Sequence, residues 1–224
     1  MKNVPGDVVA VIPAYNEAQA IAHVVRDVRD LGLPVVVADD ASDDATGRAA
    51  REAGAHVLHL PFRMGAWSAA QAGLQHALCR GAAYIVTLDA DGQHRASDIP
   101  ALLEPVLRTE ADMTIGSCPG RGSSARRLAW WFFRRITGLR TEDLTSGFRV
   151  YNRRAARMAL HREAVLADFQ DIGILLLARR RNLRLREVPV VMNLRADGKS
   201  HVFSSWVRVA YYMGYTFIIA CARR

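Results

Sequence analysis

The sequence predicts an α/β fold, a single domain with a mostly parallel β-sheet and helices on both of its faces. The chain has 224 residues, a length that suits one domain with a sizeable core. Half of the residues are apolar, as in globular proteins. Segments typical of strands and of helices alternate over the first 117 residues. Strands that are joined through helices run parallel, and their sheet is covered on both faces.

The first strand-like segment, Asp7–Ile12, consists mainly of β-branched and small residues and predicts a buried strand. We expect Pro13 to end this strand. Asn16 can cap the following helix, with Gln19 as its capping partner, and Gly32 is expected to end that helix. The apolar residues that recur at helical spacing in this segment are Ile21, Val24, Val25, Val28 and Leu31.

Later segments continue the alternation. Val35–Ala38 predicts a second buried strand, and the acidic loop 39–46 separates it from a helix that ends near Gly54. The remaining predicted elements are a strand at 56–60, a helix over Trp67–Arg80, a strand over Ala83–Leu88, a helix over Asp98–Glu110 and a strand over Met113–Ile115.

Polar sequences follow three of these strands, at the end where a parallel sheet binds its ligands. They are "PAYNE", "DDASDD" and "DADGQH". The sequence has neither the G-x-G-x-x-G pattern of dinucleotide-binding proteins nor the Walker sequence of P-loop enzymes, which argues against both classes. A diphosphate bound without a glycine loop requires a metal ion and cationic side chains. The chain offers Asp89 and Asp91 for the metal, and it offers Arg149, Arg195 and Lys199 for the positive charge.

Asp89 and Asp91 are separated by one residue at the end of a predicted strand. In an extended chain they would point to the same face, with their carboxylates side by side. Such a pair favours a bound proton or cation, and a hard divalent cation that also binds a phosphate is one stable arrangement. An Asp-x-Asp sequence also arises by chance, so the prediction depends on its position after the strand. His94 is either a third metal ligand or a histidine of a solvent-facing loop.

The basic character of the chain restricts its partners. The net charge is +8 and the pI is about 10, which suits nucleic acid, an anionic membrane surface or a phosphorylated substrate. The acidic carboxyl edge of the sheet argues against nucleic acid. Leu128–Arg140 contains "WWFFRR", and Trp206–Arg224 has a similar aromatic and basic character. Both segments predict peripheral attachment to an anionic membrane, because Trp favours the membrane interface and Arg is drawn to anionic headgroups. A core helix with an exposed basic end is the structural alternative for the first segment. No apolar run reaches the roughly 18 residues that span a bilayer.

The cysteines indicate the compartment. Cys79, Cys118 and Cys221 show neither metal-binding nor redox spacing, as is usual in a reducing environment. With the membrane prediction, this places the protein in the cytoplasm, on the inner face of the cell membrane.

Five blocks of sequence carry a resemblance to a known family. They are "VIPAYNE", "VVVADDASDDAT", "TLDADGQH", "DLTSGFRVYNR" and "EVPVVMNLRADGKS". In this order they resemble glycosyltransferase family 2, and within it the polyprenyl-phosphate sugar transferases. The resemblance implies a GT-A fold, a nucleoside-diphosphate sugar as donor and Mg²⁺ or Mn²⁺ as cofactor. On this basis the single domain 1–224 divides into a nucleotide-sugar-binding half at 1–117, an acceptor half at 118–202 and an amphipathic segment at 203–224.

The resemblance also implies roles for residues of the donor side. Pro13, Tyr15 and Glu17 would lie against the nucleoside, although Glu17 is also explained as an acid that stabilises the first turn of a helix. Asp40 would bond the base, although the whole loop 39–44 is also explained by turn chemistry. The residues that would hold the metal and the diphosphate are Asp89, Asp91 and Gln93.

On the acceptor side, Ser146 and Arg149 match the family's "SGFR" block, which lies near the acceptor phosphate and sugar. Arg195 and Lys199 match a basic loop that closes over the diphosphate. Asp91 and Arg149 are therefore candidate catalytic residues.

The acceptor decides whether the reaction needs a base. The anionic oxygen of a polyprenyl phosphate attacks without one. A sugar hydroxyl must lose a proton to a carboxylate, for which Asp171 or Asp168 is the candidate. Helix capping is the structural alternative for both residues.

The chain departs from the family pattern twice. Where relatives usually read N-x-G-K-G-A, residues 63–68 read "RMGAWS", without the lysine. Either Arg63 supplies the missing charge or Trp67 reshapes the sugar pocket. Ala41 stands where relatives carry the glycine of "DDGS". A non-catalytic nucleotide-sugar-binding protein is therefore an alternative, although both metal aspartates argue against it.

Overall fold

The computed structural model describes residues 6–118, 134–135, 138, 141–143, 146–165 and 172–193. Within these residues, seven strands form one sheet in the order β3-β2-β1-β4-β6-β5-β7. The strands are β1 (Val8–Ala14), β2 (Val35–Asp39), β3 (His56–His59), β4 (Tyr84–Thr87), β5 (Met113–Ser117), β6 (Arg149–Asn152) and β7 (Leu185–Pro189). The helices are α1 (Ile21–Arg29), α2 (Thr46–Glu52), α3 (Ala66–Cys79), α4 (Ile99–Leu107), α5 (Arg153–Ala159), α6 (Arg162–Val165) and α7 (Ile172–Arg180), with a 3₁₀ turn (Ala96–Asp98) before α4.

The sheet is mostly parallel, as predicted. β1 pairs in parallel with β2 and β4, and β2 pairs in parallel with β3. β6 lies between β4 and β5 and runs antiparallel to both, whereas β7 is parallel to β5. The carboxyl ends of β1, β2 and β4 therefore meet at one edge of the sheet.

Apolar side chains fill the space on both faces of the sheet. In β1, Val8, Ala10 and Ile12 belong to one buried cluster, which also includes residues of α1 and α4. Val11 belongs to the opposite cluster, which includes residues of α3, α5 and α7. Because both faces are buried, the central strands need apolar residues at successive positions rather than at alternate ones. This explains the continuous apolar runs from which the strands were predicted.

The structure corrects two expectations near β1. The strand does not end at Pro13 but continues through it, paired with β2. Pairing with β4 ends at Val11, so the missing N–H of Pro13 faces the side where no ladder hydrogen bond is lost. Asn16 does not cap α1. The helix begins at Ile21, after Ala20, without a side-chain cap.

A charged cluster joins β5, β6 and β7 at the opposite edge of the sheet. The carboxylate of Asp112, 5% exposed, accepts hydrogen bonds from the backbone N–H of Arg184 (2.9 Å), the Arg184 side chain (3.2 Å) and the Asn152 side chain (3.0 Å). Burial opposes ionisation of Asp112, but these hydrogen bonds outweigh it and lower the pKa of the carboxyl to about 2.

We expect Asp112 to make stability depend on pH in the acid range. Its folded pKa of about 2 lies below the ordinary value of 3.8, so its contribution is present above pH 4 and is lost as the pH falls towards 2. The difference corresponds to about 2 kcal/mol. Asp112→Asn should lower the free energy of unfolding by about this amount at pH 7 and flatten its decline between pH 4 and pH 2. Urea titrations at several pH values would measure both effects, with the exposed Asp7→Asn as a control. An Asp112→Asn curve parallel to that of the wild type would contradict the prediction.

Candidate active site

Hydrogen bonds join the loop after β1 to the acidic loop after β2. The N–H of Asn16 donates to the Ser42 hydroxyl over 3.1 Å, and the N–H of Asp43 donates to the side-chain oxygen of Asn16 over 2.9 Å. The N–H of Glu17 donates to Thr46 Oγ1 over 2.8 Å. Asn16 therefore connects two loops of the carboxyl edge, which explains why its side chain is not used at the start of α1.

Asp44 has a structural role in the acidic loop. Its carboxylate accepts hydrogen bonds from the N–H groups of Ala18 (3.2 Å) and Thr46 (2.9 Å) and from the Thr46 hydroxyl. Burial opposes ionisation, but these hydrogen bonds outweigh it and lower the pKa of Asp44 below its ordinary value. Turn chemistry thus explains this part of the loop.

Asp39 is buried at the end of β2. Its carboxylate accepts the N–H of Ser42 over 3.1 Å and lies 3.0 Å from Nδ1 of His59. The other ring nitrogen of His59 lies 2.7 Å from the guanidinium of Arg51. Gly47 leaves room for this contact, because a Cβ there would lie 2.6 Å from both Asp39 Oδ2 and the His59 ring. Both carboxylate oxygens of Asp39 are therefore engaged within the protein.

Asp40 holds the loop that precedes α3. One of its carboxylate oxygens accepts the N–H of Met64 over 2.7 Å, and the other accepts the N–H of Gly65 over 2.8 Å. Asp40 is buried, and its own N–H donates to the carbonyl of Ala14 over 2.9 Å. These bonds fix the loop at the carboxyl edge of the sheet. A contact between Asp40 and a nucleobase stays a prediction beside this structural role.

The same loop carries Arg63 to the ring of Tyr15. The guanidinium carbon lies 3.9 Å from the ring centroid, a distance typical of a cation–π contact. The Tyr15 hydroxyl donates to Asp43 over 3.4 Å. Arg63 is exposed. A cation is therefore present at the edge where the family pattern would supply a lysine.

Trp67 and Ala41, the other two departures from the family pattern, have different places in the structure. Trp67 is buried, and its indole N–H donates to the carbonyl of Ala164 over 2.9 Å. It anchors α3 to α6 in the core, and an effect of Trp67 on the shape of the sugar pocket stays a prediction. Ala41 has a φ of 57°, in the left-handed region that glycine adopts more easily. The backbone therefore keeps a glycine-like conformation at this position although the residue is alanine.

Asp89, Asp91 and Gln93 lie in the loop after β4, at the centre of the carboxyl edge. β4 ends at Thr87, and Ala90 and Asp91 form a turn. The two carboxylates therefore do not lie on an extended chain, which corrects the expectation from the sequence. Oδ1 of Asp91 accepts the N–H of Gln93 over 3.1 Å, which stabilises the turn, and the Asp89 side chain is 40% exposed.

This set of side chains fits a hard divalent cation. Mg²⁺ and Mn²⁺ prefer carboxylate, amide and water oxygens and bind well to one or two carboxylates plus substrate phosphates. The described residues contain no cluster of three or more His, Cys, Asp or Glu side chains that would form a closed metal site. A metal that is shared with a diphosphate needs few protein ligands, because phosphate and water oxygens complete its coordination.

The segment after β7 packs against this loop, a contact that was not predicted from the sequence. The N–H of Asn193 donates to the carbonyl of Gln93 over 2.8 Å, and its side chain donates to the carbonyl of Gly92 over 3.3 Å. The side-chain oxygen of Asn193 accepts Nε of Arg95 over 2.8 Å. The one local signal for Asn193 was its position two residues before Arg195.

Arg149 is the first residue of β6 and Ser146 precedes it by three residues, and both are buried. The Ser146 hydroxyl accepts the N–H of Phe148 over 3.3 Å, and Arg149 pairs in register with Thr87 of β4. This register brings Arg149 beside the chain that leads two residues later to Asp89. Acceptor binding by Ser146 or Arg149 stays a prediction.

Other residues with roles predicted from the sequence lie outside the described part of the chain. They are Asp168, Asp171, Arg195, Lys199, the aromatic residues 130–133 and the segment 203–224. In the part that is described, no helix has the length and apolar character needed to cross a bilayer.

Comparisons with known proteins identify the family. The family model described as "Glycosyl transferase family 2" matches residues 9–165. The chain is 35% identical over 213 residues to an undecaprenyl-phosphate mannosyltransferase of Micrococcus luteus, with 86% of each chain covered. It is 30% identical over 222 residues to a polyprenol monophosphomannose synthase of Mycolicibacterium smegmatis, with 90% of this chain and 83% of that protein covered.

A solved structure supports the fold. Glucosyl-3-phosphoglycerate synthase from Mycobacterium tuberculosis, in complex with phosphoglyceric acid, is similar with a TM-score of 0.75. The identity is 21%, and the likeness covers 96% of this chain and 79% of that one. At this identity the likeness shows the GT-A fold alone. The family match and the two relatives show more: the chain belongs to glycosyl transferase family 2 and is related to its polyprenyl-phosphate mannosyltransferases.

Proposed function

We propose that this glycosyltransferase moves a sugar from a UDP- or GDP-sugar to a polyprenyl phosphate, with inversion at the anomeric carbon and with Mg²⁺ or Mn²⁺ as cofactor. The observation that carries the proposal is the Asp89–Gln93 loop, whose two carboxylates lie at the centre of the carboxyl edge. Relatives at 35% and 30% identity are named for transfer to undecaprenyl phosphate and for synthesis of polyprenol monophosphomannose. These names support a lipid phosphate as the acceptor.

The donor binds across the carboxyl ends of β1, β2 and β4. The nucleoside lies against the loop after β1, and the residues that contact it are Pro13, Tyr15, Glu17 and Asp40. Asp89, Asp91 and Gln93 would hold the metal, which when bound would stabilise the negative charge of the departing nucleoside diphosphate.

Cationic side chains complete the diphosphate site. Arg63, exposed and stacked on Tyr15, stands at this edge and takes the place of the family lysine. Arg195 and Lys199 follow Asn193 in the sequence by two and by six residues. Because Asn193 is bonded to Gln93, this chain length allows Arg195 and Lys199 to reach the departing diphosphate.

The acceptor phosphate acts as the nucleophile. One of its anionic oxygens forms the new bond to the anomeric carbon while the bond from that carbon to the donor diphosphate breaks. The nucleophile carries no proton to remove, so no strong base is needed. Ser146 and Arg149 contribute to the site of the acceptor phosphate. If a sugar hydroxyl were the acceptor instead, Asp171 would be the residue to test as the base.

The protein works from the cytoplasmic face of the membrane, attached peripherally. The isoprenoid tail of the acceptor stays in the bilayer, so the enzyme must bring its site to the headgroups. The net charge of +8 and the sequence "WWFFRR" at 130–135 suit an anionic surface, where each Lys or Arg contributes about 1 kcal/mol.

The proposed function predicts a specific reaction in vesicles. Purified protein, a panel of UDP- and GDP-sugars, Mg²⁺ or Mn²⁺ and undecaprenyl phosphate in anionic liposomes should yield a glycolipid and the nucleoside diphosphate. The protein should sediment with these liposomes, and less of it should do so at high salt. The double variant Trp130→Ser, Trp131→Ser should weaken both sedimentation and activity on the long-chain lipid by about tenfold.

A short, water-soluble isoprenyl phosphate provides the matched control, because the double variant should use it nearly as well as the wild type does. Wild-type protein that ignores liposomes and transfers sugar only to a soluble hydroxyl would contradict the lipid-phosphate proposal. Donor binding without any transfer would instead indicate a non-catalytic nucleotide-sugar-binding protein.

A further inference from the structure

His94 occupies a buried position beside Asp89, in the loop after β4. Its side chain is 1% exposed, so the expectation of a solvent-facing histidine is wrong. Its backbone forms an isolated antiparallel bridge with Met192, in the segment after β7. His94 is therefore enclosed between the loop after β4 and the segment after β7.

The hydrogen bond that His94 accepts defines the tautomer of its ring. The backbone N–H of Asp89 donates to Nδ1 of His94 over 3.1 Å. An N–H group needs an acceptor, so Nδ1 carries no proton and the ring proton lies on Nε2. The distance from Nδ1 to the Asp89 carboxylate is 3.7 Å, too long for a hydrogen bond. Nδ1 thus holds the peptide of Asp89 rather than its carboxylate.

Burial of the other ring nitrogen, Nε2, has a cost in folding stability. Nε2 of His94 is buried and has no hydrogen-bond partner within the described residues. A buried donor without a partner destabilises a fold, and such groups are rare in native proteins. Phenylalanine would fill the same space without this cost. Phenylalanine, however, lacks the acceptor for the Asp89 N–H. The hydrogen bond from the Asp89 N–H to Nδ1 is therefore the contact that distinguishes histidine from phenylalanine at this position.

The ring of His94 also reaches the other half of the site. It stacks on Phe148, with ring centroids 4.9 Å apart and an interplanar angle of 24°. Phe148 is fully buried and directly precedes Arg149. Gly116 makes room for it, because a Cβ there would lie 3.1 Å from Phe148 Cδ1. One side chain thus touches both the Asp89 peptide and the segment that leads into β6.

We propose that His94 is a positioning residue that acts through Asp89. Its Nδ1 fixes the peptide that aims the Asp89 carboxylate, and its ring joins the Asp89–Gln93 loop to the Ser146–Arg149 segment of the predicted acceptor side. The inference rests on the proposed function, because it assumes that Asp89 binds a divalent metal together with the donor. It concerns a residue that touches neither metal nor substrate.

Two variants distinguish the role of the hydrogen-bond acceptor Nδ1 from the role of the ring contact with Phe148. His94→Phe keeps a flat ring for the contact with Phe148 and removes both nitrogens. His94→Asn places an amide oxygen where Nδ1 was and removes the ring. Mn²⁺ binding in the presence of UDP or GDP, followed by electron paramagnetic resonance, reports on Asp89 without turnover. Thermal melting, kcat and the KM of each substrate complete the comparison.

We expect His94→Phe to melt close to the wild-type temperature, because it removes the unpaired Nε2 donor but leaves the Asp89 N–H without its acceptor. It should bind Mn²⁺ about tenfold more weakly and lose about tenfold in kcat, as is typical when an outer-shell partner is lost. His94→Asn should melt lower yet keep its Mn²⁺ affinity within about threefold of the wild type. Wild-type Mn²⁺ affinity and kcat in His94→Phe would overturn the inference.

A third variant covers the case in which His94→Phe does not fold. His94→Ala removes both the acceptor and the ring, so His94→Asn should bind Mn²⁺ more tightly than His94→Ala does. Equal affinities would overturn the inference. A wild-type protein that binds no Mn²⁺ with either nucleotide would contradict the proposed function itself, an outcome distinct from any difference among the His94 variants.

Discussion

Asp91→Asn is expected to lower the rate of sugar transfer by about three orders of magnitude while the protein remains folded. The substitution removes one of the two charges proposed to bind the metal, and metal stabilisation of a departing diphosphate contributes several kcal/mol. Asparagine keeps an oxygen that can accept the N–H of Gln93, the bond that Asp91 Oδ1 makes over 3.1 Å. The turn should therefore survive, and the loss should come from the charge.

Three measurements test this expectation: kcat with Mn²⁺ and with Mg²⁺, binding of the nucleoside diphosphate with and without metal, and the far-ultraviolet circular dichroism spectrum. Asp30→Asn, at the exposed end of α1, removes the same charge away from the site and should behave as the wild type does. Full activity of Asp91→Asn, or wild-type activity undiminished by EDTA, would contradict the metal assignment.

The sequence predicted those parts of the fold whose pattern is local. β1, β2 and β4 are buried on both faces, so their apolar runs were visible, and the helices between them carry apolar residues at helical spacing. β6 is different, because Arg149–Asn152 is a short segment with a buried Arg. Its place between β4 and β5 depends on pairing with Thr87 and Ile115, which lie tens of residues away in the chain. No local pattern encodes such a contact.

The same distinction applies to the site. The acidic loops were recognised because they directly follow strands, and the resemblance supplied roles for their side chains. The contacts that these side chains make within the fold could not be predicted from the sequence. Asn16 resembles a helix cap in sequence but bonds the loop after β2, and the partner of His94 is Phe148. Each of these contacts joins segments that only the folded sheet brings together.

Asp40→Asn is expected to have the second largest effect, on both stability and donor binding. The carboxylate of Asp40 accepts one backbone N–H on each oxygen, from Met64 and Gly65. Asparagine offers one oxygen, and its NH₂ group would face the other N–H. Losing a buried hydrogen bond to a charged group and leaving a donor unmet should lower the free energy of unfolding by about 3 kcal/mol. Arg63, next to Met64, would then no longer be held over Tyr15.

Urea unfolding, the rate of trypsin cleavage after Arg63 and the Kd of UDP and GDP would measure these effects. We expect faster cleavage and at least about tenfold weaker binding of the preferred nucleotide, because a loop that must be reordered weakens each contact it makes. Asp43→Asn is the matched control, since its exposed side chain can still accept the Tyr15 hydroxyl. If Asp40→Asn instead left cleavage and stability unchanged and altered only the preference between UDP and GDP, the structural role would be wrong. The contact of Asp40 with the base would then account for the residue.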